Sequence, residues 1–192
     1  MHVTGLILTS SLALAANAVP YHGHGKHHMA HEKRDDTFKI HVLNNCADDK
    51  SFALYQIDAS FNMAEMSTPK TIAAGMASAI DAPYTALGMR LSATADQGAD
   101  AQWDPQALFE FGYSEYAGQP GTAYDLSVME GSPPGIGVAV YPHQSECPTK
   151  VCSPEDCAPG QGWTNPDQVN AGSPGDTVCY YGKTNFRVVW CP

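Results

Sequence analysis

Residues 123–131 read AYDLSVMEG, and this stretch, set beside ALFEFGY at 107–113, decides how the chain folds. Tyr124, Leu126 and Val128 fall on one side of an extended chain, the alternation of a half-buried strand. Asp125 interrupts the opposite side, and Glu130 closes the stretch just before Gly131. Glu110 stands inside the earlier apolar run in the same way. Acids among such sticky segments either keep a sheet face wet or line one cleft.

The same pattern runs along the chain. TFKIHVL (37–43) alternates Phe38, Ile40 and Val42 against Lys39 and His41 and stops at Asn44-Asn45. SFALYQI follows a polar turn, LGMRLSATA comes near residue 90, and IGVAVYP follows the break at Ser132-Pro133-Pro134-Gly135. DTVCYYG and NFRVVWC close the chain. Short strands at roughly ten-residue spacing with Gly and Pro between them predict an all-β, antiparallel sandwich. One helical stretch is expected around Thr71 to Ala82, Ala-rich but broken by Gly75. Residues 153–175, dominated by Pro, Gly, Asn and Asp, read as an irregular excursion.

The beginning of the chain suggests its compartment. GLILTSSLALAA is too short to span a bilayer and runs into Ala16-Asn17-Ala18, so residues 1–18 read as a secretory signal peptide. YHGHGKHHMAHEKR (21–34) carries His22, His24, His27, His28 and His31 with almost nothing apolar. Residues 19–34 are therefore expected to be a soluble pro-segment ending at the dibasic Lys33-Arg34 pair, with a zinc or copper site as the sharper alternative. A copper site built on an amino-terminal histidine is excluded, since cleavage after Ala18 or Arg34 exposes Val19 or Asp35. The mature domain is then 35–192, without an apolar tail for a lipid anchor.

From Asp35 onward, 7 Lys and Arg face 19 Asp and Glu, a net charge of −12. That balance repels nucleic acid and anionic membranes and suits cations or neutral carbohydrate. No N-x-S/T sequon occurs. All six cysteines, Cys46, Cys147, Cys152, Cys157, Cys179 and Cys191, lie in this part, and an even count in an oxidising compartment reads as disulfides. Spacing alone leaves all fifteen pairings open. No metal or other cofactor is expected.

Three segments together carry a resemblance. TVCYYGKTNFRVVWCP (177–192), FKIHVLNNC (38–46) and ALFEFGYSEYAGQPGTAYDLSVMEGSPPGIGVAVYP (107–142) are similar to the closing, opening and central strands of thaumatin-like proteins. The resemblance spans most of residues 37–192. With so few cysteines and a shortened cysteine-rich lobe, the chain resembles most the small secreted members of filamentous fungi, described as conidial and antigenic. What this implies is a thaumatin-like β-sandwich with a reduced, loop-rich second lobe. It also implies pairings, Cys46 with Cys191, Cys147 with Cys179 and Cys152 with Cys157.

The resemblance implies an acidic cleft as well. Carried over by motif, its ligand-binding residues are Glu110, Asp125 and Glu130, the last standing where the family has Asp. Arg90 is the arginine of the matching segment. Alignment through Thr94 sets it one position out, and a one-residue slip turns a strand side chain to the other face. Trp103, Tyr113, Tyr116 and Tyr124 could stack on sugar rings, although core packing is the commoner fate of aromatics. Trp190 reads as core.

The implied function is binding of cell-wall β-glucan, with a part in wall remodelling as conidia germinate. A surface adhesin or antigen that binds host or matrix proteins is the alternative of another class. A weak endo-β-1,3-glucanase is the third, with Glu110 and Asp125 catalytic. Hydrolysis needs one carboxyl protonated beside one ionised, and a binder needs only hydrogen bonds to hydroxyls.

Overall fold

The computed structural model describes residues 36–85 and 88–192. The expected signal peptide, the histidine-rich segment and the boundary at Arg34 lie outside the described residues. Twelve strands follow in order: β1 (Thr37–Asn44), β2 (Lys50–Ile57), β3 (Met63–Glu65), β4 (Lys70–Ile72), β5 (Ala77–Pro83), β6 (Met89–Ser92), β7 (Ala107–Tyr116), β8 (Gln119–Val128), β9 (Val138–Pro142), β10 (Lys150–Cys152), β11 (Thr177–Cys179) and β12 (Phe186–Trp190). A five-stranded sheet runs β10-β9-β12-β1-β5. A second, larger sheet runs β11-β8-β7-β6-β2-β3, with β4 also pairing β2.

The alternation in each strand makes the core between the sheets. Phe38, Ile40 and Val42 of β1 are fully buried while His41 is exposed. Phe109 and Phe111 of β7 and Tyr124, Leu126 and Val128 of β8 point the same way across the sheet. Phe186 lies in the middle of these rings, its centroid 4.9 Å from Phe109 and 5.4 Å from Tyr124. Trp190 is fully buried and meets Phe52 edge-on at 5.1 Å.

Two features depart from the sequence reading. The stretch around Thr71 to Ala82 contains no helix: it is β4, a turn with Gly75 at φ 74°, and β5. Its alanines permit helix, but Ile80 and Ala82 are buried while Ala79 and Asp81 are exposed, a period of two that pairs β5 along the whole of β1. Tertiary pairing overrides a weak local preference for helix. The sandwich is also not wholly antiparallel, because β1 and β12 run parallel.

Cys46–Cys191, Cys147–Cys179 and Cys152–Cys157 are bonded, and no described cysteine is free. The first staples the ends of the parallel pair. The other two hold the excursion after β10, which contains a 3-10 helix (Pro166–Ala171) opened by an Asn165–Gln168 capping box.

Beside the core, β2 buries its second face too. Ala53 and Tyr55 pack under Met63, Ala95 and Ala99, so one end of the larger sheet's outer surface is covered. The rest of that surface, over β6, β7 and β8, carries the site.

Candidate functional site

Register builds the site. Arg90 of β6 stands opposite Glu110 of β7, and Glu110 stands opposite Asp125 of β8. Directly opposed residues share a face, so this one row points away from the core. Arg90 donates from Nε to Glu110 Oε1 at 2.6 Å and from Nη1 to the Gln102 carbonyl at 3.3 Å. Its guanidinium lies 5.4 Å from the centre of the exposed Trp103 ring. The register therefore places Arg90 on the acidic face, whichever way a motif alignment slips.

Glu130 is placed differently. It lies past the end of β8, exposed, with its amide bonded to the Thr164 carbonyl at 2.9 Å. Glu110 and Asp125 line one cavity of about 350 Å³ together with Gly112, Ala123 and Asp176. Glu130 lines another, of about 440 Å³, with Arg90, Trp103, Leu108 and Ser127. The two separate cavities flank the Arg90–Glu110–Asp125 row along the strand direction, and the outer face they share across β6, β7 and β8 is the candidate groove. Of the aromatics, Trp103 is at its wall, Tyr116 is exposed and Tyr124 is core.

Sequence reading missed two residues. Asp176, just before β11, takes the place beside Asp125 that Glu130 does not reach, and accepts the indole N–H of Trp163 at 2.6 Å. Its only sequence signal is an acid at the head of a short strand. Lys150 is buried, and its ammonium donates to the carbonyls of Gly160 at 2.9 Å and Gly175 at 2.8 Å. A lysine two residues before a cysteine in a polar stretch carries no mark of burial.

The surroundings bear most heavily on Asp125. Burial, then the charges of Glu110 and Asp176, push the Asp125 carboxyl well above the usual carboxylate range, against the opposing pull of Lys150 and Arg90. Burial in turn lowers Lys150, partly offset by Asp125 and Asp176. Among the described residues no group of three His, Cys, Asp or Glu side chains could hold a metal ion. The groove thus offers an ion-paired carboxylate, a second carboxyl whose ionisation is resisted, and an exposed indole, a set suited to a ligand rich in hydroxyls.

The two sheets, their strand order and the three disulfides define an all-β sandwich. Among solved structures, the protein elicitor MoHrip2 from Magnaporthe oryzae is similar, with a TM-score of 0.53 at 20% identity over 81% of this chain and 99% of that one. The thaumatin-like xylanase inhibitor TLXI gives a TM-score of 0.47 at 12% identity over 80% of this chain and 99% of its own. No protein-family model matches the chain, and none of the curated proteins does.

Proposed function

We propose that this is a secreted protein that binds a neutral β-glucan-type polysaccharide in the groove across β6, β7 and β8. The observation that supports this reading is the Arg90–Glu110–Asp125 row set between two open cavities. Carboxyl and guanidinium groups hydrogen-bond sugar hydroxyls, and an exposed ring covers the apolar face of a pyranose. Three disulfides suit an oxidising, extracellular setting. On this reading the protein acts at a fungal cell wall, in its remodelling as conidia germinate.

The test is retention on insoluble β-1,3-glucan. Wild type should be retained, and Glu110→Ala and Asp125→Ala should each lose about tenfold in affinity, the loss of one or two hydrogen bonds to a charged or buried partner. Equal retention of all three removes the groove from the function and favours an adhesin that uses another surface.

A second reading, weak endo-β-1,3-glucanase activity, is favoured by the raised Asp125 carboxyl standing beside the ion-paired Glu110. Asp125 would protonate the departing glycosidic oxygen, and Glu110 would act as nucleophile or as base. Reducing-sugar release from laminarin by wild type, abolished in Asp125→Asn, is the expected result for an enzyme. No release over a long incubation leaves a binder.

A further inference from the structure

Beyond the acidic row, the face of β7 and β8 is stripped of side chains and then ends in tyrosines. Gly112 stands opposite Ala123, which in turn pairs with Val178 of β11. Ser114 stands opposite Gly121, and Tyr116 opposite Gln119. All of these share the face of Glu110 and Asp125, because they lie even numbers of residues along the same strands. The floor of the cavity next to the acids is therefore low. The strand face continues past the cavity and runs about 20 Å from Glu110 to Tyr116, at the rise of an antiparallel strand.

The far end is not bare. Tyr116 is 71% exposed and Tyr180 is 41% exposed, and their ring centres are 6.1 Å apart. Tyr180 is seated over Gly121, where an added Cβ would come within 2.9 Å of its ring. Neither ring belongs to the buried core. Two large aromatic rings held in water at the far end of this face form a patch of the kind that marks an interaction surface. This face has acids at one end and rings at the other, and no cation lines the cavity at its acidic end.

We propose that the groove takes a linear β-glucan lengthwise, along β7 and β8, with the Tyr116–Tyr180 pair as a stacking station for sugar rings several units away from the acidic row. This inference rests on the groove reading above and extends it. The site then recognises the interior of an extended chain, and short oligosaccharides fill only its acidic part.

Calorimetric titration with laminari-oligosaccharides, from the disaccharide to the octasaccharide, tests it. Wild-type affinity should rise with length. The Tyr116→Ala/Tyr180→Ala variant should bind the octasaccharide roughly three- to tenfold more weakly, the range of one aromatic contact, and the trisaccharide unchanged. Tyr116→Phe/Tyr180→Phe should bind all lengths like wild type, which also shows that the face is intact. Tyr141→Ala, on the other sheet, controls for loss of an exposed ring. An alanine variant that binds every length like wild type, or loses equally at every length, overturns the tyrosine station while leaving the acidic row standing. Wild type that binds no oligosaccharide, or that binds oligolysine instead through the same tyrosines, overturns the glucan reading together with it.

Discussion

Asp125 shows how one residue can be set by surroundings far from it in sequence. Its carboxyl is desolvated by burial, crowded by Glu110 and Asp176, and partly relieved by Lys150 and Arg90. In the fold it ionises at higher pH than in the unfolded chain. Below the ordinary value of 3.8 both states are protonated and no stability difference arises. As pH rises above that value, the unfolded chain releases its proton first, so the fold is progressively penalised until Asp125 itself ionises. Asp125→Asn should therefore raise the urea midpoint at neutral pH, with the gain vanishing below pH 3.8. A gain of equal size at both pH values would show that ionisation is not its cause.

The hairpin of β7 and β8 fixes the register of the site, and the excursion after β10 supplies its remaining wall. That excursion is pinned by contact rather than by regular structure. Trp163 bonds through its backbone to Leu126 and Val128, extending the sheet beside β8. Lys150 holds the carbonyls of Gly160 and Gly175. Gly162 leaves no room, since an added Cβ would lie 2.8 Å from both Cys152 Sγ and the Leu126 carbonyl. Gly162→Ala should destabilise the protein by about 1–3 kcal/mol, because the backbone itself must move. Gly160→Ala, which meets open space, should change stability by less than about 0.5 kcal/mol. Urea denaturation of the pair decides it, and equal midpoints would sink the packing argument.

The whole domain is held at its ends. Cys46 and Cys191 are 145 residues apart, and Cys152 and Cys157 only 5. In the loop-entropy model the long closure restricts the unfolded chain by about 5 kcal/mol and the short one by about 2 kcal/mol. Domains of this kind are stable by only about 5–15 kcal/mol in total. The Cys46→Ser/Cys191→Ser variant should therefore melt far below wild type, and Cys152→Ser/Cys157→Ser much less so. Thermal unfolding of the two would refute this ranking if the short-loop variant fell further. Asn44 strengthens the same corner, fully buried and donating to the carbonyls of Asp48 and Ile72 while accepting the amide of Cys46.

Sequence alone carried the strands, because a side-chain period of two is a local property that survives in print, as in Phe38-Ile40-Val42 and Tyr124-Leu126-Val128. It also marked Glu110 and Asp125 as acids out of place in apolar runs. It misjudged residues 71–82, where alanine permits either conformation and only the pairing with β1 decides. What the tertiary structure settled was neighbourhood: Arg90 opposite Glu110 opposite Asp125, Glu130 set apart in the adjoining cavity, Asp176 brought in by a loop without periodicity, and Lys150 by the three-residue strand β10. Register and loop closure join residues distant along the chain, and no short-range pattern records which of them meet.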